Sequence, residues 1–164
     1  MSRHREASAA IPAAAEALFE WLDDPARLGG HMSESSPMMG GGRMGYIFDA
    51  ARGQSVGSVI RMDGQAFGLS LSLEEVVVER TPPRRKVWRT IGHPRLIIIG
   101  AYEMGFEITP QDDLKAELRI WIDYELPERG LGRRTPRLAG LYARWCVRQM
   151  VADAARHFGG EVRA

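Results

Sequence analysis

Ser55 lies in Gly53-Gln54-Ser55-Val56-Gly57, the G-x-S-x-G spacing of a nucleophile elbow. That chemistry requires a strand before the serine and a helix after it, so that the hydroxyl stands free on a tight turn. Here a second strand-like run, Ser58 to Met62, follows, and the segment reads as a hairpin turn. Gly40, Gly42 and Gly45 repeat G-x-G-x-x-G. A dinucleotide site needs that motif between a strand and a helix, whereas a loop precedes these glycines and a strand follows them. The four histidines, His4, His31, His93 and His157, stand at no metal-ligand spacing. The single cysteine, Cys146, excludes an intrachain disulfide and any Cys-based zinc site, and reads as a packed thiol. No metal and no cofactor is expected, and no catalytic residue is assigned.

Charged groups offer two candidate anion sites. Arg84-Arg85-Lys86 with Arg89 forms a basic run, either a phosphate-binding patch or, as favoured here, a solvated face that Glu74, Glu75 and Glu79 on the preceding strand neutralise across the hairpin. Arg133, Arg134 and Arg137 bracket the start of the last helix, where cations oppose the helix dipole. They serve either a nearby anion or simply extend into water. Over the whole chain, 22 basic and 21 acidic residues leave a charge of +1. The isoelectric point of about 8.0 falls short of the basic footprint of a nucleic-acid binder, roughly 9 or above, so no nucleic-acid partner is expected.

The elements that must position these groups follow from periodicity. Ser8 to Ile11 reads as a short strand ended by Pro12, which suits a helix's first turn. Ala15, Leu18, Phe19 and Leu22 give that helix a buried stripe. Pro25 and Gly29-Gly30 break it, and His31 to Gly42, rich in Ser, Met and Gly, reads as a long loop able to gate an apolar mouth. From Met44 to Leu126 the period is two. Met44, Tyr46 and Phe48 alternate, as do Phe67 to Leu73, Tyr102 to Ile108, and Leu118 to Tyr124. Such alternation marks an antiparallel sheet with one face on a core. Six strands in succession are expected there, the last two near fourteen residues each. Thr135 as N-cap, Pro136 as first residue and Gly159-Gly160 as stop delimit a long closing helix.

On that helix Leu138, Leu141, Tyr142 and Trp145 cluster on one side, nearly opposite Val147, Met150, Val151, Ala154 and Phe158. A straight helix against one sheet buries only one of these clusters. A bend near Gly140, cover from the long loop, or a homodimer would each resolve the conflict. Trp121 falls on the polar face of its strand, covered by an arginine stem or part of a dimer face.

Strand, helix and loop, six antiparallel strands, then a long helix is an order that resembles the helix-grip fold of the START-like (SRPBCC) superfamily. The nearest likeness is to its bacterial polyketide cyclase/dehydrase and lipid-transport branch. Ile11-Pro12-Ala13 through Trp21-Leu22-Asp23-Asp24-Pro25-Ala26-Arg27, Gly53 to Met62, and Thr81 to Arg89 are similar to its opening strand and helix, its second hairpin, and its fourth-to-fifth strand connection. The resemblance implies an α+β domain spanning residues 1–164, with about seven antiparallel strands wrapped around the C-terminal helix and short helices after the first strand. It also implies a sheet–helix cavity for a small hydrophobic, lipid- or polyketide-like molecule.

With the alternation, this nominates Tyr46, Phe48, Leu69, Leu71, Tyr102, Met104, Phe106, Ile120, Ile122 and Tyr124 from the strands as ligand-binding residues. Ala143, Val147 and Met150 are added from the helix. The alternative is a cyclase/dehydrase-like enzyme using polar residues of the same cavity, in which case Asp49, Arg61 or Arg89 would have to point inward. The longest apolar run, Leu96 to Tyr102, is far below the roughly 20 residues that span a bilayer, and no signal-peptide pattern opens the chain. A cytoplasmic location without stable membrane insertion is therefore expected.

Overall fold

In a computed structural model of the chain, residues 1–30, 43–66 and 68–160 are described. The expected gating loop, His31 to Gly42, lies outside them, as does Phe67. Seven strands form one antiparallel sheet: β1 (Arg3–Ile11), β2 (Arg43–Phe48), β3 (Val59–Ala66), β4 (Leu69–Thr81), β5 (Arg85–Arg95), β6 (Tyr102–Asp112) and β7 (Lys115–Tyr124). Their spatial order is β1-β7-β6-β5-β4-β3-β2, so β2 to β7 form a meander and β1 pairs with the last strand. Two short helices follow β1, α1 (Ala15–Leu22) and α2 (Pro25–Leu28). After β7 come α3 (Leu131–Arg134) and the long α4 (Pro136–His157).

The element boundaries differ from expectation for local reasons. Strand β1 begins at Arg3 because β7 offers partners from Ala116 to Tyr124. Helix α1 starts only at Ala15, with Ala14 at its N-cap and Pro12 left in the preceding turn. Thr135 stands at the N-cap of α4 as expected, but its side chain makes no capping hydrogen bond, because its hydroxyl donates instead to the Leu131 carbonyl at 2.6 Å. Strands β6 and β7 have 11 and 10 residues rather than fourteen. The apolar segment 96–101 leaves the ladder there, tied by the Gly100 N–H donating to Glu125 O at 2.8 Å.

Sheet curvature removes the conflict on the closing helix. Helix α4 packs directly on β1 and β7, burying Ala139, Ala143, Val147, Met150, Val151 and Ala154 in the main core. Tyr142 and Trp145 point the other way, onto a second apolar cluster of Met44, Ile60, Met62, Ala66, Leu71 and Leu73 from β2, β3 and β4. One chain thus covers both sides of its helix, and Leu141 is the member of that patch left mostly exposed, at 59%.

On the outer face, Trp121 is buried between the guanidinium groups of Arg85 and Arg119, 4.7 and 4.8 Å from its ring centroid. It lies over Gly105, where a Cβ would sit 2.5 Å from the indole. The basic run is only partly a solvated face. Arg85 bridges Glu79 and Glu107 at 3.1 and 2.8 Å. Lys86 instead turns inward, 2% exposed, and its Nζ donates to Asp23 Oδ1 at 2.7 Å and to Asp23 O at 2.9 Å. Arg80 completes the cluster with two hydrogen bonds to the same carboxylate. These contacts pin the end of α1 to β4 and β5.

Candidate functional site

Between the α4-facing core and the β2–β4 cluster lies a cavity of about 90 Å³. One probe-sized water needs roughly 10–15 Å³ on such a measure, so the space holds several waters or a small organic molecule. Its position follows from the packing. Where α4 rests on β1 and β7 the core is solid. Towards β2 and β3, where α4 no longer packs directly on the strands, side chains from sheet and helix leave a gap between them. Met44, Tyr46, Met62, Leu71 and Leu73 form one wall, Trp88, Tyr102, Met104 and Ile122 another, and Tyr142, Cys146 and Met150 the helix side. The segment 96–99, Pro25 and Gly29 at α2, and Ile60, Ala66 and Glu75 from β3 and β4 complete the described lining.

Six of the expected residues therefore border the cavity: Tyr46, Leu71, Tyr102, Met104, Ile122 and Met150. The other seven do not. Phe106, Ile120, Ala143 and Val147 are sealed in the main core, with Phe106 edge-on to Phe19 at 5.6 Å. The register pairs Met104 with Ile122 and Phe106 with Ile120, so the latter two lie one step further along the ladder, beyond the void. Tyr124 is buried beneath Gly140 of α4. Phe48 stacks on Tyr46 with Arg52 over its ring. Leu69 shares its face with Leu71 but stands at the strand's end, 55% exposed.

The polar groups of the cavity were not among the expected residues, except for two tyrosines. Glu75 on β4 sits in the inward row after Leu71 and Leu73 and is 6% exposed. Its carboxylate accepts a hydrogen bond from the Tyr102 hydroxyl. Burial raises its pKa to about 7, against the opposing pull of the Tyr102 hydrogen bond and the Lys86 charge. Burial also pushes Tyr46, Tyr102 and Tyr142 up, so these phenols stay neutral donors. The Cys146 thiol, raised to about 12 by burial and hydrogen-bonded with Tyr142, is not a nucleophile at neutral pH. The Tyr46 hydroxyl is buried without a hydrogen-bond partner among the described residues. Among the described residues, Glu75 is therefore the cavity's one group that exchanges a proton near pH 7.

Other candidates dissolve. Asp49 is a turn residue, accepting from Ser58 Oγ at 2.6 Å and from Val59 N at 2.8 Å. Arg61 pairs with Asp63 on the surface at 3.1 Å, and Arg89 is exposed. Ser55 lies in an exposed turn. Among the described residues, no three His, Cys, Asp or Glu side chains gather as metal ligands, and no helix is long and apolar enough to cross a membrane.

No family model and no curated relative matches the sequence. Solved structures do match in shape. An aromatase/cyclase from Streptomyces sp. R1128 superposes with a TM-score of 0.71 at 14% identity, over 100% of this chain and 98% of its own. The chain has the helix-grip fold. The same helix grip relates it to truncated norcoclaurine synthase from Thalictrum flavum, with a TM-score of 0.63 at 12% identity over 99% and 96% of the two chains. It also relates it to Ara h 8.0201, with a TM-score of 0.58 at 8% identity over 94% and 98%. In all of these the likeness is one of fold.

Proposed function

We propose that this helix-grip chain binds a small, mainly hydrophobic molecule, lipid- or polyketide-like in its apolar body, in the cavity between sheet and helix. The observation that carries this reading is a void lined by apolar side chains into which a few polar groups converge, the general form of a small-molecule site. A plain core would fill that space, since interiors pack with few voids larger than a water. The neutral fluorophore N-phenyl-1-naphthylamine is expected to brighten on binding. Cys146→Phe, which fills the space from α4, should weaken the dye at least tenfold. Leu114→Ser, on the exposed β6–β7 turn, should leave binding unchanged. No fluorescence response, or equal affinity in the Phe variant, would sink the reading.

A second reading is favoured by Glu75 itself. A carboxyl with a pKa of about 7 can accept and return a proton at neutral pH, as general acid–base catalysis requires. The chain would then act on its ligand, as the aromatase/cyclase and norcoclaurine synthase of the same fold are named for doing. A ketone probe separates binding from catalysis. If Glu75 is a base, acetophenone held by the chain in deuterium oxide incorporates deuterium at its methyl group, and Glu75→Gln abolishes the incorporation. Background-rate exchange with the unaltered chain would refute it.

A further inference from the structure

We propose, resting on the cavity reading above, that the ligand carries a basic nitrogen on its apolar body, its N–H groups shared between the Glu75 carboxyl and the Tyr46 hydroxyl. The argument begins with an imbalance of charge. An ionised carboxylate out of water needs a cation or several donors to offset its desolvation. Glu75 has one donor, Tyr102, and no cation within ion-pair distance among the described residues. The cation whose charge acts on it, Lys86 of β5, is committed to Asp23 by two contacts of 2.7 and 2.9 Å. The groups facing the carboxyl from the packed elements are otherwise neutral: Tyr46 from β2, Tyr102 from β6, and Tyr142 and Cys146 from α4.

Three features then select the ligand's chemistry. An anion is repelled by Glu75, since no cationic side chain lines the cavity among the described residues. A hydrocarbon leaves the carboxylate with its single Tyr102 donor and no counter-charge, and the Tyr46 hydroxyl without a partner among the described residues. A protonated amine supplies the missing charge and more than one donor, and the Tyr46, Tyr102, Tyr142 and Trp88 rings on the walls attract a cation through their π faces. The rest of the lining, rich in Met, Leu and Ile, accepts the hydrocarbon or aromatic remainder.

The test compares 2-phenylethylamine with its neutral isostere 2-phenylethanol, by calorimetry and by displacement of N-phenyl-1-naphthylamine. At pH 8 the amine is expected to bind at least tenfold more tightly than the alcohol. That advantage should disappear by pH 5 with a midpoint near 7, where Glu75 takes up its proton. In Glu75→Gln the ratio should fall towards one at pH 8, and if that variant fails to fold, the pH series on the unaltered chain decides alone. Dye binding with the alcohol equal to or better than the amine at pH 8 overturns the amine proposal and leaves the cavity reading standing. Failure of the dye and of both probes overturns the two together.

Discussion

Asp23→Ala should lower the free energy of unfolding by about 3–5 kcal/mol, the range for removing one partner of a buried ion pair. For a domain of this size, that corresponds to a fall in melting temperature of roughly 6–20 °C. The effect is large because Lys86, 2% exposed, would be left charged and unpaired beneath α1. Arg80, partly exposed, can turn to solvent, and Lys86 cannot. Guanidinium denaturation of the single variant and of Asp23→Leu with Lys86→Met together separates charge from packing. The double change should recover most of the loss, because two apolar groups of similar shape need no counter-charge. A single variant within about 1 kcal/mol of the unaltered chain would show that the pair is not buried in solution. Asp23 also leads directly into α2, so its loss should loosen Pro25 and Gly29 at the cavity wall.

The second large effect has the opposite sign. Glu75→Gln should stabilise the chain by roughly 3 kcal/mol at pH 8. Glu75 has a folded-state pKa of about 7 against an ordinary value of 4.5. Below the lower value, folded and unfolded chains both hold the proton. Between the two, the unfolded chain has released it and the folded chain has not, so rising pH favours unfolding. Above 7 both are ionised, and the whole cost of burying the charge remains. Stability contributed by the protonated carboxyl is therefore present at pH 4.5 and lost by about 7, and the glutamine variant should lack that slope. Parallel pH–stability curves for the two chains would refute it. An acid held at such expense in a cavity is what a binding or proton-transfer role requires, since stability alone favours its replacement.

Much of the fold was legible in the sequence because period-two alternation fixes which face of each strand is inward. Tyr102, Met104, Phe106 and Ile108 illustrate both the strength and the limit of that rule. All four share the inward face, yet only the first two reach the void. Alternation gives the face and not the height along the strand, and height depends on where the sheet curves away from α4. The same curvature places Tyr142 and Trp145 against β2 to β4, which a flat sheet would not allow. By its place in the sequence, Glu75 groups with Glu74 and Glu79 as a counter-charge for the basic run. The signal for its true place was parity: it follows Leu71 and Leu73 and precedes Val77 in one alternating row. A carboxylate in such a row is either neutralised, paired or functional. Lys86 misled in the same way, because a run of three cations suggests a wet surface although only one of them, Arg84, is fully outside.

The pairing of β1 with β7 has a consequence for synthesis on the ribosome. Residues Arg3–Ile11 emerge before their partners Ala116–Tyr124, which follow roughly a hundred residues later, an interval that at about 5–20 residues per second takes on the order of 5–20 s. The meander β2 to β7 can assemble hairpin by hairpin in that interval, while the first strand waits without a partner. Its leading residues Arg3, His4, Arg5 and Glu6 are charged or titratable, the kind of edge that discourages pairing with another nascent chain. Helix α4, which rests on β1 and β7, has no complete seat until that strand docks. The ligand chamber is thus among the last parts of the molecule to form, and a ligand present during translation would find no binding-competent state until the C-terminal helix has left the exit tunnel.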